Sequence, residues 1–222
     1  MKNFLIVRMK KNLALLKSLS FLYSLPSILK IKGSTGNFLE MDSTFLKKTK
    51  IEYKGKNNRI KIHRETQLIN CLLHINGNNC EIEIMEHCNL KNLDLWIEDD
   101  CGKIQIGYRT TIEGGHIAAT EGHSITIGED CMFSHEIVIR NGDSHSIYEK
   151  TTDKRINTAQ NVKIGNHVWL GEGAKVLKGS IINEGTIIAT GAIVSGNVMN
   201  NSIYAGVPAR VVKENIYWKR ER

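Results

Sequence analysis

The sequence predicts an all-β fold: a parallel β-helix of hexapeptide repeats, with an inserted polar loop and an N-terminal helical segment. The first observation is a strict period of six residues from Ile164 to Val194. The second is a looser repeat of about 22 residues that begins near Ile60. The third is a polar stretch, 141–160, that follows neither repeat. A six-residue period differs from the ~3.6 of an α-helix and indicates short strands joined by corners, whose coils stack.

Residues 1–58 are predicted to form a basic N-terminal region. Residues 1–64 contain 15 Lys or Arg and 3 Asp or Glu, a net charge of +12, whereas 65–222 contain 15 and 20, a net charge of −5. This asymmetry indicates either a solvated basic face or an anionic partner, such as membrane headgroups or an acidic polysaccharide. No nucleic-acid-binding motif accompanies the charge, so nucleic acid is not expected as a partner.

An amphipathic helix is predicted at the start of this region, ending near Pro26. Its apolar run is interrupted by Lys17. The run therefore suits neither a membrane-spanning helix, which needs roughly 20 apolar residues, nor a signal peptide. We expect the helix to pack on a partner subunit, with a membrane surface as the alternative.

The β-helix itself is predicted over 59–213. Four aligned segments begin at Ile60, Ile82, Ile104 and Ile125, and each follows a turn-like cluster of glycine, asparagine or other polar residues. The seventh residue of each segment is small, which indicates a stacked core column: Thr66, Cys88, Thr110 and Cys131. The five cysteines include no CxxC pair. A reduced, cytoplasmic compartment is the simplest expectation, at the inner face of the membrane if the N-terminal helix binds there.

The strict hexads lie between the polar loop and a C-terminal tail, 214–222. Each hexad opens with an aliphatic residue and has a small or β-branched residue four places later, which predicts two inward columns. Between Ile127 and Ile164 the spacing jumps to 37 residues, which leaves the polar loop 141–160 outside any coil. Loops on a rigid scaffold often carry catalytic groups.

At this point the sequence resembles the hexapeptide-repeat acyltransferases. The hexads, the loop histidine, the step Val168-Trp169-Leu170-Gly171 and the closing segment 204–210 carry the resemblance, over about 104–213. It is most similar to galactoside and maltose O-acetyltransferases and to the O-acetyltransferases of capsular polysaccharide, including polysialic acid. The resemblance implies a left-handed β-helix, a homotrimer with active sites between neighbouring prisms, acetyl-CoA as co-substrate, and no metal.

The resemblance implies that His145 and Trp169 are the catalytic residues, because His145 precedes Trp169 by 24 positions, as in the relatives. A neutral imidazole can take the proton of a sugar hydroxyl as it attacks the thioester directly, without an acyl-enzyme. Asp143 would orient the imidazole, unless a backbone carbonyl does so, and Asn141 is a second candidate for support. Trp169 would form a wall of the acceptor or thioester site, pack on a neighbouring subunit, or do both.

The resemblance also implies a coenzyme A site that extends along the prism. Small residues would let the pantetheine arm lie against the backbone, and cationic residues would meet the phosphates. In the relatives a small residue is usual at the position of Glu172, so a direct contact of the Glu172 side chain with coenzyme A is less expected. The matching residues are Gly171, Glu172, Thr190, Gly191, Ser195, Arg210 and Lys213.

The predicted function is therefore O-acetylation of a hydroxyl on a capsular or lipopolysaccharide-type surface glycan. The basic N-terminus favours an acidic acceptor, and the resemblance includes sialic acid polymers among the acceptors. An alternative within the class is N-acetylation of an amino sugar nucleotide. An alternative from another class is a metal enzyme like the β-helix carbonic anhydrases, which bind zinc through histidines of adjacent coils and neighbouring subunits. Its candidate ligands would be His116, His123, His135 and His167.

Overall fold

The computed structural model describes residues 13–28, 31–33 and 35–221. Within these ranges one helix, α1 (Leu13–Ile28), precedes 24 strands that form three sheets. Sheet I has eight strands: β1 (Phe38–Met41), β4 (Arg59–Ile62), β7 (Glu81–Ile84), β10 (Lys103–Ile106), β13 (Ser124–Ile127), β16 (Val162–Ile164), β19 (Ile181–Ile182) and β22 (Asn197–Val198).

Sheet II has nine strands: β2 (Phe45–Lys47), β5 (Gln67–Ile69), β8 (Asn89–Lys91), β11 (Thr111–Ile112), β14 (Met132–Phe133), β17 (Trp169–Leu170), β20 (Ile187–Ile188), β23 (Ile203–Ala205) and β24 (Arg210–Lys213). Sheet III has seven: β3 (Lys50–Lys54), β6 (Leu72–Asn76), β9 (Leu93–Glu98), β12 (Gly115–Ala119), β15 (Ile137–Arg140), β18 (Lys175–Val176) and β21 (Ile193–Val194).

Strands three apart in the chain, such as β1, β4 and β7, are neighbours in the same sheet. Three consecutive strands therefore form one coil, which stacks on the coil before it. The pairing is parallel throughout except between β23 and β24. Ile60 lies beside Ile82, and Ile104 beside Ile125, in the predicted alignment. These four isoleucines are fully buried. The predicted parallel β-helix and its inward column are confirmed.

The corners between sheets I and II need a left-handed backbone. One residue at each of five successive corners has φ between 51° and 59°. Such conformations cost a non-glycine residue roughly 1–2 kcal/mol, so packing and hydrogen bonding of the coils must hold them. The residues are Glu65, His87, Arg109, Asp130 and His167.

The predicted threonine and cysteine column is also confirmed, since all four side chains are buried. The backbone N–H of Cys88 donates to Thr66 Oγ1 at 3.2 Å, and that of Cys131 donates to Thr110 Oγ1 at 3.2 Å. Burial raises the pKa of the Cys88 thiol to about 12 and that of Cys131 to about 11. These thiols are therefore structural and unreactive at neutral pH.

The β-helix begins earlier than the predicted residue 59, because β1–β3 already form a coil. Leu39 and Met41 lie beside Ile60 and Ile62 of the next coil. The sequence pattern missed this coil because its first strand lacks the Ile-x-Ile signature of the later ones; Leu39 and Met41 of that strand are only half-buried.

Helix α1 covers this first coil through a face of serines. Ser24 Oγ donates to the Thr44 carbonyl at 3.0 Å and accepts from the Leu46 N–H at 2.9 Å. Ser27 Oγ accepts from the Thr49 N–H at 3.3 Å. The serines thereby satisfy part of the strand edge that the first coil would otherwise leave open.

Phe21, Leu22 and Tyr23 form an exposed apolar surface of α1, in which Leu22 lies opposite the serines and the Tyr23 ring also contacts Phe45 of the first coil, with centroids 5.9 Å apart. The helix continues through Pro26 to Ile28 instead of ending near Pro26. The predicted helical segment also includes residues 1–12, which lie outside the described residues. Within the described part of the chain, no helix is both long and apolar enough to cross a bilayer.

Candidate active site

A cavity of about 730 Å³ lies on the outer face of sheet III, beside the loop 141–160. Its floor comes from β9, β12 and β15, and its rim includes the loop residues around His145. The lining residues that matter for chemistry are Trp96, His116, Ala118, Arg140, Asp143 and His145, together with the acidic residues Glu98, Asp99 and Glu121.

The loop is closed at its base by Asn141, the first residue after β15. The N–H of Gln160 donates to the Asn141 carbonyl at 2.8 Å, which joins the two ends of the loop. The Asn141 side chain is fully buried, and its Oδ1 accepts from the Thr120 N–H at 2.8 Å. Asn141 therefore anchors the loop to the coil beneath it and does not reach His145.

Glu121 provides a second anchor, from the corner that follows β12. One carboxylate oxygen pairs with Arg155 and the other accepts from the Ala159 N–H at 3.0 Å. The hydrogen bond from Arg155, and then that from Ala159, lowers the pKa of Glu121. A charged Glu121 thus ties the second half of the loop to the β-helix.

Asp143 makes no hydrogen bond with the imidazole of His145, which is also among the described residues. Its Oδ2 accepts from Lys178 Nζ at 2.6 Å and from Asn157 Nδ2 at 2.9 Å. The hydrogen bond from Lys178, followed by that from Asn157, lowers the pKa of the Asp143 carboxyl. The same Asn157 Nδ2 donates to the backbone carbonyl of His145 at 2.8 Å. Asp143 and Asn157 therefore position the backbone that carries His145.

The His145 side chain is exposed on the cavity rim. Among the described residues, none makes a hydrogen bond with its imidazole, so both ring nitrogens remain open to a substrate. That arrangement is suited to proton transfer with a hydroxyl that enters the cavity.

His116 lies on the cavity floor and differs from His145 in its surroundings. Burial, more than the nearby Arg140 charge, lowers the pKa of the His116 imidazole despite the opposing effect of Asp94. His116 is therefore neutral at pH 7 and can exchange hydrogen bonds with a sugar hydroxyl.

Trp169 lies elsewhere, on the outer face of sheet II in β17, where 37% of it is exposed. It does not line the cavity. The loop that carries His145 emerges between sheets III and I, whereas Trp169 belongs to the third face of the prism. A single chain does not bring the two predicted catalytic residues into one pocket.

Four of the seven predicted coenzyme A residues lie at the corner between sheets II and III. Gly171 and Glu172 lie directly beside Thr190 and Gly191 of the next coil, and the Gly191 N–H donates to the Glu172 carbonyl at 2.8 Å. A Cβ at Gly171 would lie 2.6 Å from the Thr190 nitrogen, so the coils can approach this closely only at glycine. Space is open around Gly191, where nothing would lie within 4 Å of a Cβ.

Ser195 follows β21 at the far edge of sheet III, and Arg210 and Lys213 lie on β24 at the C-terminal end of sheet II. All three are exposed. The seven predicted residues thus lie at the corner between sheets II and III, at the corner between sheets III and I, and at the C-terminal end of the prism.

The C-terminal tail contributes a contact that the sequence pattern missed. Trp218 is buried and lies 5.9 Å from Trp169, centroid to centroid, with the ring planes tilted by 51°. Arg220 donates to Asp130 Oδ1 at 2.9 Å and to the Cys131 carbonyl at 2.7 Å. The tail follows the last hexad and has no repeat. The presence of Trp218 and Arg220 is therefore the only sequence signal that it packs on the β-helix.

The candidate zinc ligands are not assembled. His116 lies on sheet III, and His167 pairs with Asp130 at the corner of sheets I and II. Among the described residues, no three His, Cys, Asp or Glu side chains lie close enough together to hold a metal ion.

No protein-family model matches the chain. It is 40% identical over 174 residues to the polysialic acid O-acetyltransferase of Neisseria meningitidis, a match that covers 78% of this chain and 80% of that protein. The chain belongs to the polysialic acid O-acetyltransferase family. It is also 44% identical over 118 residues to the polysialic acid O-acetyltransferase of Escherichia coli O1:K1, covering 53% of this chain and 38% of that one.

The crystal structure of the polysialic acid O-acetyltransferase OatWY superposes with a TM-score of 0.82 at 30% identity, over 86% of this chain and 92% of that chain. The protein is therefore an O-acetyltransferase of the hexapeptide-repeat type, with a left-handed β-helix. The predicted fold class, family and enzyme class are confirmed.

Proposed function

We propose that this O-acetyltransferase moves the acetyl group of acetyl-CoA to a hydroxyl of a sialic-acid-containing capsular polysaccharide, in the cavity beside the loop 141–160. The observation that carries the proposal is the exposed His145 imidazole on the rim of that cavity, without a hydrogen bond in the described part of the chain. The family relatives are named for O-acetylation of polysialic acid, an anionic glycan.

In the proposed reaction His145 acts as general base. The imidazole takes the proton of the acceptor hydroxyl while the hydroxyl oxygen forms a bond to the acetyl carbonyl carbon. The carbon–sulfur bond breaks, and the imidazolium returns the proton to the departing thiolate. A positioned base of this kind typically contributes about 10²–10⁴-fold to the rate. Asp143 and Asn141 support His145 indirectly, since they fix the loop on which it lies.

Acetyl-CoA supplies an activated acyl group, so the protein itself needs no covalent intermediate. We propose that the corner of Gly171, Glu172, Thr190 and Gly191 receives the pantetheine arm and that Ser195 flanks it. Arg210 and Lys213 would pair with the phosphates, because both are exposed cations at the end of that corner. Glu172 would contribute its backbone, since its carbonyl already accepts the Gly191 N–H.

A homotrimer would reconcile the positions of His145 and Trp169. Because the loop and Trp169 lie on different faces of one prism, a neighbouring copy must supply one of them if both contact substrate. Light scattering coupled to size exclusion should give three times the 25.0 kDa mass of the chain. A monomer with full activity would contradict this assembly and the shared site.

The reaction is tested with purified protein, acetyl-CoA and polysialic acid. We expect release of the CoA thiol and a base-labile acetyl ester on the polymer. A product stable to base would indicate the amide of an N-acetyltransferase instead. His145→Ala should lower kcat/KM by about 10²–10⁴-fold. Full activity of a folded His145→Ala variant would exclude His145 as the base.

We also propose a cytoplasmic location, where acetyl-CoA is available, with the exposed apolar face of α1 as a peripheral membrane contact. The excess of positive charge in residues 1–64 favours anionic lipid. Replacing Phe21, Leu22 and Tyr23 together by serine should reduce sedimentation with anionic vesicles. Equal sedimentation of the variant would contradict the membrane contact.

A further inference from the structure

A single alanine interrupts a row of large side chains on the outer face of sheet III, in the cavity described above. Parallel pairing places Ala118 of β12 directly beside Trp96 on one neighbouring strand and beside Arg140 on the other. Adjacent strands lie about 4.8 Å apart, so Trp96 and Arg140 are roughly 10 Å apart along the prism with a notch between them. All three residues line the cavity that His145 borders.

Trp96 is held as a rigid wall of this notch. His74 stacks on one face of its indole, with centroids 3.9 Å apart and planes 21° apart. The indole N–H donates to Glu98 Oε2 at 2.6 Å. The other face of the ring therefore borders the cavity, where it can stack on the apolar face of a sugar ring.

Arg140 stands at the opposite wall with an unpaired charge. Its guanidinium is exposed and donates to Ser144 Oγ at 3.0 Å, and it makes no ion pair with a carboxylate in the described ranges. A guanidinium presents a planar fork of donors that matches a carboxylate. Arg155, in contrast, is engaged by Glu121 and is not available to a ligand.

The carboxylates of the cavity are all directed toward protein donors. Glu121 and Asp143 are ion-paired with Arg155 and Lys178. Glu98 accepts from Asn76 Nδ2 at 2.6 Å, and Asp99 accepts from Thr120 Oγ1 at 2.7 Å. Glu98 and Asp99 also belong to the β9 coil, two coils from Arg140. An anionic group that enters the cavity is therefore repelled from the β9 end and attracted to Arg140.

We propose that Arg140 binds the carboxylate of an acidic sugar whose ring lies over Ala118 against Trp96, which selects the acceptor and presents its hydroxyl to His145. This inference rests on the proposed function and adds to it the residues that recognise the acidic sugar. Arg140 is a binding and specificity-determining residue in this arrangement, and proton transfer stays with His145.

The test compares two acceptors and three proteins. The acceptors are polysialic acid and the same polymer after its carboxylates are reduced to primary alcohols, and the proteins are the wild type, Arg140→Gln and Arg140→Lys. With the native polymer, Arg140→Gln should raise the acceptor KM by about tenfold or more, the usual effect of losing a charge-assisted pair. With the reduced polymer, the wild type and Arg140→Gln should have similar KM values, and Arg140→Lys should fall between them on the native polymer.

Three controls keep the outcomes separate. The KM for acetyl-CoA should not change in Arg140→Gln, and Lys163→Gln, an exposed cation on sheet I, should behave as wild type. Ala118→Leu fills the notch from an outward position and should raise the acceptor KM for both polymers. A wild-type acceptor KM of Arg140→Gln on the native polymer would overturn the inference, and a wild-type KM of Ala118→Leu would contradict the place of the sugar ring over Ala118. Absence of wild-type acetylation of the native polymer would instead overturn the proposed function.

Discussion

Trp218 of the C-terminal tail stacks on His167 of the β-helix, with ring centroids 3.8 Å apart and planes only 8° apart. The contact is reciprocal, because the Trp218 indole N–H donates to the His167 carbonyl at 3.0 Å and His167 Nε2 lies 3.0 Å from the Trp218 carbonyl. His167 Nδ1 is 2.8 Å from Asp130 Oδ2. Burial is the largest single effect on the Asp130 carboxyl and raises its pKa, but the hydrogen bonds and charges of His167 and Arg220 together outweigh it, so the pKa is lowered.

The tail therefore supports Trp169 from the side, and Trp218→Ala should disturb it. We expect the free energy of unfolding to fall by about 2–4 kcal/mol, because a buried indole and its stacking are lost. Trp96→Phe/Trp218→Ala is compared with Trp96→Phe/Trp218→Phe, since both leave Trp169 as the reporter, and the emission of the alanine variant should be shifted to the red. Tyr217→Ala is the matched control, since Tyr217 is 80% exposed. An unchanged Trp169 spectrum would show that the tail does not support it.

Asp143 and Lys178 provide a test of how His145 is oriented. Because Asp143 pairs with Lys178 and not with the imidazole, we expect Asp143→Asn to lower kcat by no more than about tenfold. An aspartate that orients a catalytic histidine is worth about 10⁴-fold in kcat. Lys178→Met should give a similar small loss, because it breaks the same contact. A loss near 10⁴-fold in Asp143→Asn alone would mean that the carboxylate does reach the imidazole.

Glu121 should make the loop sensitive to acid. Its pKa is lowered in the folded protein, so its contribution to loop anchoring is complete above the ordinary glutamate pKa of about 4.3 and is lost as the pH falls through the lower folded value. Glu121→Gln imitates the protonated form at neutral pH. We expect trypsin to cleave this variant several-fold faster at Lys150, Lys154 or Arg155.

The matched control for that experiment is Glu129→Gln, which changes an exposed glutamate on a neighbouring coil. Its loop should be cleaved at the wild-type rate. Equal protection of Glu121→Gln and wild type would contradict an anchoring role for the Arg155 pair.

Ser24 tests how α1 covers the first coil. Ser24→Ala removes the partner of both the Thr44 carbonyl and the Leu46 N–H in a buried interface. Buried groups left without a partner cost about 1–3 kcal/mol, so the melting temperature should drop by several degrees. Leu22→Ala is the control, since Leu22 is 61% exposed on the opposite face. Equal melting temperatures for the two variants would contradict the serine contact.

The regular part of the fold was predictable because the same side-chain contacts recur in every coil. A side chain at one position of a coil stacks on the same position of the next coil, so the burial of Ile60, Ile82 and Ile104 appears directly as a sequence period. The first coil and α1 were harder to predict. Leu39 and Met41 are only half-buried, and the helix contacts the first coil through serine hydroxyls, which leave no apolar pattern in the sequence.

The sequence by itself determined the β-helix, its inward columns, the position of the loop 141–160 and the candidates His145 and Trp169. Only the tertiary structure decided which groups meet: Asp143 with Lys178, Trp218 with His167, and Trp96 with Arg140 across Ala118. The physical reason is that inward contacts follow the repeat. Contacts between outward side chains depend on which coils stack and on where the loop and the tail fold back, and no period in the sequence records that.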